Sequence, residues 1–470
     1  MPIATTNPAT GQVLKTYDPM SDEQLDAAIE RADVAFRDLH RTTLAQRAQW
    51  MNAAADLLDA ERDDTARLMT TEMGKTYAAA KAEVTKCATA CRFYAANAEK
   101  MLADEPADAG AVQAKRAFVR HQPIGPVLAV MPWNFPLWQV MRFAAPALMA
   151  GNTGLLKHAS NVPQTALYLE DVFRRAGFPE GAFTTLLVGS EAVDRILSDP
   201  RVRAATLTGS ETAGRSIGQI AGREVKKTVL ELGGSDPFVV MPSADLDRAA
   251  EVATTARCQN NGQSCIAAKR FIVHTDVFDA FADKFAANMA ALTVGDPMDD
   301  STDVGPLASE HGRDEVHAQV RDAVDQGATV LCGGEKPTGD GWYYPPTVVT
   351  DLTPQMRMWA EEVFGPVAGL YRVSSYQEAI EVANGTTFGL GSNAWTTDPA
   401  EQERFATDLD AGNVFINGMT TSFPELPFGG VKNSGYGREL SAIGMREFCN
   451  TKTVWVGEGT ASAGAGAHAE

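Results

Sequence analysis

The sequence predicts a fold of two α/β domains, each built on a largely parallel sheet. From Pro126, short apolar runs alternate with stretches of helical periodicity, a pattern typical of βαβ units with buried strands. A second alternation of the same kind begins after Asp236. The chain has 470 residues, which is more than one hydrophobic core usually serves.

Helical periodicity dominates the first hundred residues. Ser21 and Gln24 have the spacing of a capping box before a run with apolar residues three and four apart. Further helices are predicted over 44–60 and 78–102. An acidic break at 104–110 follows, and then alternation over 117–121 predicts an exposed ribbon strand.

The remaining elements are predicted from runs of apolar residues and from helical spacing. The first series of strands is predicted at 127–131, 153–157, 184–188, 204–207 and 229–232. The second is predicted at 238–240, 271–273, 329–332, 367–371 and 414–416. Helices are predicted at 164–176, 252–257, 277–292 and 316–326.

Composition excludes some classes of function. With 41 Lys and Arg against 60 Asp and Glu, the formal net charge is −19, which argues against a partner that is a nucleic acid or an anionic membrane. Residues 1–11 lack the pattern of a secretory signal. Six scattered cysteines favour reduced thiols and a cytoplasmic location. Cys87 and Cys91 are expected to pack in a helix rather than bind metal.

Cys265, at the end of the segment NNGQSC (260–265), is a candidate nucleophile. A thiolate needs an accessible position with amide donors nearby, and a loop rich in Gly, Asn and Gln supplies both. Because little of an ordinary thiol is ionised at pH 7, a base or a local field must help. The alternative for this segment alone is a buried structural cysteine.

Two further residues suit such a nucleophile. Glu231 follows an apolar strand and precedes two glycines, so its carboxylate could move between a thiol and a water as a general base. Asn134 lies in the loop MPWNFP (131–136), where its amide could donate to a developing oxyanion. Taken singly, Glu231 could be a surface charge and Asn134 a turn former.

Together these segments resemble the aldehyde dehydrogenase family. The resemblance covers essentially the whole chain, because the signatures occur in the family's order: NPATG (7–11), MPWNFP (131–136), ELGG (231–234), NNGQSC (260–265), EEVFGP (361–366), PFGGVK (427–432) and SGYGRE (434–439).

The resemblance implies an α/β architecture in three parts. A Rossmann-like cofactor domain would comprise residues 1–104 and 124–232, and a second α/β catalytic domain residues 233–430. A small protruding oligomerisation ribbon would comprise 105–123 and 445–458, with 459–470 as a loose tail. It also implies a homodimer or a homotetramer, and the sequence leaves those two open.

The resemblance further implies oxidation of a small aldehyde. Cys265 would attack the aldehyde to give a thiohemiacetal, with the oxyanion held by Asn134 and the Cys265 backbone N–H. Hydride transfer to a nicotinamide would leave a thioester, and Glu231 would activate the water that hydrolyses it. Covalent catalysis divides one difficult reaction into two easier steps of this kind.

The cofactor site lacks a well-placed Gly-x-Gly-x-x-Gly motif. Gly209 and Ser210 instead follow the strand predicted at 204–207, where small residues allow helix N-terminal amides to approach a pyrophosphate. The resemblance implies that Ser210 contacts phosphate, that Glu362 binds the nicotinamide ribose, and that Phe364 packs near the ring. Trp133 would lie beside the same cleft.

The choice between NADP and NAD depends on the end of the strand at 153–157. The family uses the lysine at Lys157 on the adenine-side ribose, and NAD-preferring members commonly carry Glu at the position that is Ser160 here. A neutral hydroxyl does not repel a 2′-phosphate, so we expect NADP, with NAD as the alternative. His158 replaces a family proline and is expected to be a solvated turn residue.

Arg142 is the candidate for substrate recognition. It lies two helical turns after Asn134, facing a similar side, and an arginine in an apolar tunnel would grip a carboxylate. The chain resembles most the succinate-semialdehyde dehydrogenase branch, which has an arginine at this aligned position, and the resemblance implies oxidation of succinate semialdehyde to succinate. Where that branch has a second arginine, this chain has Gln259. Ser422 is expected to supply a hydroxyl instead. The alternative for Arg142 is a surface or inter-helix ion pair.

Three other interpretations compete. A broad-range aliphatic or aromatic aldehyde dehydrogenase would share all of the chemistry above. A cysteine hydrolase would need a histidine base, and none of the seven histidines lies in a recognisable catalytic motif. A silent binding protein on this fold would be expected to have lost Cys265 or Glu231.

Overall fold

The computed structural model describes residues 2–458, so the loose tail predicted at 459–470 lies outside the described residues. Within that range there are fifteen α-helices: α1 (Asp22–Leu39), α2 (Leu44–Ala60), α3 (Arg62–Met73), α4 (Tyr77–Met101), α5 (Trp138–Ala150), α6 (Pro163–Arg175), α7 (Ala192–Ser198), α8 (Glu211–Arg223), α9 (Leu246–Cys258), α10 (Thr275–Ala290), α11 (Glu310–Asp325), α12 (Arg357–Ala360), α13 (Tyr376–Asn384), α14 (Pro399–Asp408) and α15 (Ser441–Glu447).

The same residues form eighteen strands in four sheets. The strands are β1 (Ile3–Asn7), β2 (Gln12–Tyr17), β3 (Glu105–Pro106), β4 (Arg116–Pro123), β5 (Pro126–Met131), β6 (Thr153–His158), β7 (Phe183–Thr185), β8 (Ala204–Thr208), β9 (Lys227–Glu231), β10 (Pro237–Val240), β11 (Arg270–His274), β12 (Thr329–Cys332), β13 (Thr347–Thr350), β14 (Val367–Val373), β15 (Asn393–Trp395), β16 (Phe415–Ile416), β17 (Gly435–Tyr436) and β18 (Cys449–Val456).

Two large sheets confirm the α/β fold class. The first has the order β17-β9-β8-β5-β6-β7 and the second β12-β13-β14-β11-β10-β15-β16. All neighbours in the first are parallel except β17 with β9, and all in the second except β12 with β13. The chain returns to the first sheet at β17, a return that the predicted domain boundaries leave out.

The order of the first sheet creates a crevice at one edge. From β5 the chain proceeds outward through β6 and β7, and then returns to the other side of β5 with β8 and β9. Ligands of open α/β sheets bind beyond the carboxyl ends of the strands at such a reversal. The loops that follow β5 and β8 are therefore placed to form a binding site.

Several predicted elements are observed close to their predicted bounds. The capping box at Ser21 is present, with both reciprocal hydrogen bonds, and α2 has the predicted bounds 44–60. Cys87 and Cys91 are fully buried on α4 within the largest apolar core. Among the residues the structure describes, no helix has the length and apolarity needed to cross a membrane.

The prediction that the first hundred residues form helices was wrong for residues 3–17. Residues 3–17 form the antiparallel pair β1–β2. Thr5 is fully buried in β1 and its hydroxyl donates to Glu72 on α3, so a long-range polar contact holds a strand that lacks an apolar run. The short strands β13 and β15 were also not predicted.

A small three-stranded sheet stands apart from the two large ones. Its order is β18-β4-β3, and β18 pairs with β4 over all eight of its residues. Most β18 side chains are exposed, including Trp455, which is 55% exposed. This ribbon presents an open edge strand to its surroundings.

Candidate active site

The loop that carries Cys265 is held in a strained backbone conformation. Helix α9 ends at Cys258, and Asn260 and Asn261 follow with φ of 55° and 57°, in the left-handed region. Non-glycine residues adopt this region rarely and at a cost in energy. The fully buried Arg257 compensates by donating to the carbonyls of Ala268 and Gly262, at 2.9 and 2.5 Å.

A second buried cation fixes the nucleophile itself. The Lys269 ammonium donates to the carbonyl oxygens of Ser264 at 2.8 Å and Cys265 at 2.7 Å. It also lies 3.2 Å from a carboxylate oxygen of Glu362. Sequence reasoning missed Lys269, since a single basic residue four positions after the cysteine matches no general motif. The lysine links the cysteine loop to the side chain expected to bind ribose.

Seven of the predicted site residues line one cavity of about 240 Å³. They come from the loops after β5 and β8, from the cysteine loop and from the segment before β14, and they are Trp133, Asn134, Gly209, Ser210, Cys265, Glu362 and Phe364. The rings of Trp133 and Phe364 meet edge to face at 5.8 Å. The cavity lies beyond the carboxyl ends of the neighbouring strands β5 and β8. Glu231, Lys157, Ser160, Arg142 and Ser422 are not among its lining residues.

The Asn134 amide is fixed beside the cysteine loop. Its Nδ2 donates to the Gln263 carbonyl at 3.1 Å, and its own backbone carbonyl accepts from Asn260 Nδ2 at 2.7 Å. An amide nitrogen has two hydrogens, so one remains to donate into the cavity. The arrangement is therefore able to stabilise an oxyanion formed at Cys265.

The Cys265 thiol is protonated at neutral pH in this environment. Burial raises its pKa to about 12, although the positive charges of Arg142 and Lys269 oppose the shift. A thiol is a poor nucleophile until its proton is removed. The cysteine therefore needs a base, or charge stabilisation that arrives with ligands.

Glu231 is buried next to the site with its carboxylate outside the cavity lining. Burial and then the neighbouring Glu439 raise its pKa well above the ordinary value. Neither carboxylate oxygen has a well-formed hydrogen bond, and one lies close to the Cα of Gly429, where a Cβ would be only 2.7 Å away. A carboxylate in an apolar site with a raised pKa suits proton transfer.

Arg142 is almost fully buried and contacts a protein carboxylate. Its Nε lies 2.8 Å from a carboxylate oxygen of Glu439, with both side chains almost fully buried, and its guanidinium stacks 4.8 Å over the Phe428 ring. Burial raises the pKa of Glu439, which the positive charge of Arg142 opposes. The role of Arg142 towards the substrate stays a prediction.

The polar residues Lys157 and Ser160, at the carboxyl end of β6, lie beside the crevice. Lys157 is 8% exposed, and its ammonium donates to the His158 carbonyl at 3.1 Å. Burial lowers the pKa of Lys157, opposed by Glu191. Ser160 is partly buried, and its backbone carbonyl accepts from the Ala4 N–H. Both are at the carboxyl end of β6, next to β5 in the sheet.

The prediction that His158 is solvated was wrong. The ring is 5% exposed, with Nε2 2.9 Å from the Pro136 carbonyl and Nδ1 accepting from the Ala159 N–H at 2.9 Å. Burial lowers its pKa to about 4, so the ring is neutral. His158 therefore braces the loop that carries Asn134, a role invisible to local sequence.

Ser422 contacts Trp138, the first residue of α5, just after the Asn134 loop. It is 4% exposed, and its hydroxyl oxygen accepts from Trp138 Nε1 and Lys86 Nζ, both at 3.0 Å. Sequence reasoning named Ser422 but missed both partners. Lys86 lies within the predicted helix 78–102, and nothing in the sequence marks it as a contact of Ser422.

Fold and site together are typical of a nucleotide-dependent enzyme with a cysteine nucleophile. The family model described as "Aldehyde dehydrogenase family" matches residues 1–454. The chain therefore belongs to the aldehyde dehydrogenase family of oxidoreductases, which act on small aldehydes.

Two relatives and one solved structure illustrate the similarity. The chain is 68% identical over 472 aligned positions to "Succinate-semialdehyde dehydrogenase [NADP(+)]" of Mycolicibacterium paratuberculosis, covering 100% of both chains. It is 68% identical to "Succinate-semialdehyde dehydrogenase [NADP(+)] 1" of Mycobacterium ulcerans, covering 97% of this chain and 100% of the relative. Succinic semialdehyde dehydrogenase from Streptococcus pyogenes, solved with NADP⁺, superposes with TM-score 0.94 at 38% identity, covering 97% and 100%.

Proposed function

We propose that this enzyme oxidises succinate semialdehyde to succinate with NADP. The observation that carries the reaction is the shared cavity, where the Cys265 thiol and the Asn134 amide lie with Ser210, Glu362 and Phe364. The substrate and cofactor follow from relatives of that name at 68% identity. The Ser422 hydroxyl, buried beside a cation, supports a substrate that carries a carboxylate.

The residues at the crevice fit a dinucleotide phosphate. Ser210 caps α8, with its oxygen accepting from the Ala213 N–H at 3.3 Å, so its hydroxyl hydrogen and the free amides of the first turn can bind an anion. Lys157 and Ser160 at the end of β6 would hold the adenine-side ribose and its 2′-phosphate. Glu362 would hold the nicotinamide ribose, with Trp133 and Phe364 near the ring. When bound, NADP accepts hydride from the substrate.

The first half of the reaction centres on Cys265. The Glu231 carboxylate would take the proton of the thiol and later pass it to solvent, and the Cys265 sulfur would attack the aldehyde carbon to form a thiohemiacetal. The Asn134 amide and the Cys265 backbone N–H would donate to the resulting oxyanion, and one such donor is typically worth about 3 kcal/mol in the transition state. Loss of hydride from this intermediate leaves a thioester on Cys265.

The second half requires an activated water. The Glu231 carboxylate would turn from Gly429 towards the thioester and take a proton from the attacking water, which releases the acid and regenerates the thiol. Burial and then the like charge on Glu439 raise the pKa of Glu231, which makes its carboxylate a stronger base than an ordinary one.

A small kinetic matrix tests the proposal. Succinate semialdehyde, glutarate semialdehyde and hexanal are each assayed with NADP and with NAD. The expected result is the highest kcat/KM for succinate semialdehyde with NADP. Similar kcat/KM for all three aldehydes would support the broad-range alternative, and a higher kcat/KM with NAD would contradict the cofactor assignment.

We further propose that the ribbon of β3, β4 and β18 pairs between subunits of a homodimer or homotetramer. Support comes from the exposed edge of β18 and from Trp455 on it, since exposed edge strands readily pair with another chain. We also propose that residues 1–104 and 124–232 form the cofactor domain and that residues 233–430 form the catalytic domain. Free cysteines throughout residues 2–458 support a reducing compartment such as the cytoplasm. Light scattering on the purified protein measures the subunit number.

A further inference from the structure

Helix α5, which follows the loop of Asn134, is capped by a residue from another helix. The first N–H groups of a helix have no intrahelical acceptor, and the N-cap residue of α5, Leu137, makes no side-chain hydrogen bond there. The backbone N–H groups of Leu137 and Trp138 instead donate to one carboxylate oxygen of Glu83, at 2.9 and 2.8 Å. Glu83 lies on α4, so a carboxylate distant in sequence holds the start of α5.

The other oxygen of Glu83 is held by a buried cation. It forms an ion pair with the Lys75 ammonium, and both side chains are almost fully buried. A buried ion pair adds little to stability, because the cost of desolvation offsets the attraction, so its effect is expected in the geometry of the groups it contacts. The same ammonium lies 4.3 Å from the centre of the Phe135 ring. The pair therefore contacts both the start of α5 and the loop before it.

The backbone between Asn134 and α5 is held at successive points. The Asn134 carbonyl accepts from Asn260 Nδ2 at 2.7 Å. Two residues further on, the Pro136 carbonyl accepts from His158 Nε2 at 2.9 Å. The next contact is the pair of N–H groups at the start of α5. Because only three residues separate Asn134 from Leu137, a displacement at the start of α5 moves Asn134 as well.

The proposed reaction depends on the position of the Asn134 amide. A donor to an oxyanion must lie within about 3 Å of it, and a misplacement of about 1 Å lowers the rate on the order of 100-fold. One hydrogen of the amide is already donated to the Gln263 carbonyl, at 3.1 Å. The direction of the other hydrogen then depends on the backbone that carries the side chain. A residue that fixes this backbone therefore controls the rate of the reaction at Cys265.

We propose that Glu83 is a positioning residue, which caps α5 and thereby fixes the Asn134 amide relative to Cys265. Lys75 orients the Glu83 carboxylate for this task by holding its second oxygen. Glu83 itself touches neither substrate nor cofactor in this role. The inference rests on the proposed function, because it depends on Asn134 as the donor to the oxyanion.

A double-mutant cycle tests this role, with the single-turnover rate of NADPH formation from succinate semialdehyde as the readout. Glu83→Gln keeps the size of the side chain, but an amide has one acceptor oxygen and cannot serve both Lys75 and α5 as a carboxylate does. The rate should fall about 10- to 100-fold. Asn134→Ala should lower it about 100- to 1,000-fold. In the double variant the loss should stay within about twofold of that in Asn134→Ala alone, because an absent amide cannot be misplaced.

A general structural role of Glu83 gives a different pattern. The two losses then multiply in the double variant, which overturns the inference, as does an unchanged rate in Glu83→Gln. The KM for NADP should stay within about twofold in Glu83→Gln, since the cofactor crevice is unaltered. Glu99→Gln, an exposed change on the same helix, is the matched control and should retain the wild-type rate. A wild-type rate in Asn134→Ala contradicts the proposed function of Asn134, whatever the result for Glu83.

A second variant decides the matter if Glu83→Gln does not fold. Glu83→Asp keeps the negative charge beside Lys75 but is shorter by one methylene, so its carboxylate cannot reach both the ammonium and the N–H groups of α5. It should lower the single-turnover rate about threefold or more, with no further loss when combined with Asn134→Ala. A wild-type rate in Glu83→Asp, or losses that multiply in its double variant, would overturn the inference.

Discussion

The proposed cofactor end and the proposed substrate end of the active site differ in how they are built. The cofactor end consists of loops that follow β5 and β8, where neighbouring residues such as Trp133 and Asn134, or Gly209 and Ser210, line the cavity together. The substrate end consists of side chains that are far apart in sequence. Lys86 meets Ser422 across 336 positions, and Arg142 meets Glu439. Contiguous loops can be found by motif, whereas long-range side-chain pairs cannot.

The largest expected effect is at the nucleophile that both ends share. Cys265→Ala should lower kcat by about 10,000-fold or more, because no covalent intermediate can form. The measurement is steady-state formation of NADPH. Cys332→Ala, a change on β12 in the other sheet, is the matched control and should retain full activity. Turnover that survives in Cys265→Ala would contradict covalent catalysis at this position.

Glu231→Gln should separate the two halves of the reaction. Hydride transfer would still occur once, giving a burst of NADPH, while steady-state turnover falls about 100- to 1,000-fold because water is no longer activated. Since burial raises the pKa of Glu231, the wild-type rate of thioester hydrolysis should increase with pH as the Glu231 carboxylate forms.

The control for Glu231 is Glu381→Gln, an exposed change on α13. It should behave as the wild type in both phases. Steady-state rates that remain unchanged in Glu231→Gln would remove it from the mechanism.

Arg142→Met tests whether Arg142 acts as the ion-pair partner of Glu439 or as a ligand of the substrate. It should lower the free energy of unfolding by about 3–5 kcal/mol, because Glu439 is left buried without its partner. Activity should fall equally for succinate semialdehyde and butanal. The double variant Arg142→Met/Glu439→Gln should recover much of the stability in denaturant titrations. A selective loss on succinate semialdehyde with normal stability would instead restore Arg142 as a substrate ligand.

The smallest expected effect is on the pH dependence of stability. His158 is neutral in the folded protein with a pKa of about 4, whereas in the unfolded chain its pKa is about 6.5. The unfolded state therefore binds the extra proton first, and stability falls as pH decreases from about 6.5 towards 4. Between pH 7 and pH 5 this amounts to about 2 kcal/mol.

The comparison for His158 is with His158→Gln, which cannot titrate but can still donate to the Pro136 carbonyl. Denaturant titrations at the two pH values should show a smaller decrease for the variant than for the wild type. Equal decreases would assign the pH dependence to other groups.

The sequence determined the α/β class, the motif order of the family and seven of the residues that line the cavity of Cys265. These are local properties, because strand–loop–helix units form from adjacent residues and present their loops at the same sheet edge. The capping box at Ser21 and the bounds of α2 were predictable for the same reason.

Only the tertiary structure decided which partners the charged side chains have. Arg142 and Lys86 are both basic residues on helices, and periodicity does not distinguish them. Packing places Glu439 against Arg142 and leaves the Lys86 ammonium with a hydroxyl and an indole. It likewise buries His158 between two loops. A buried charge needs a partner from anywhere in the chain, so its role depends on contacts that form only on folding.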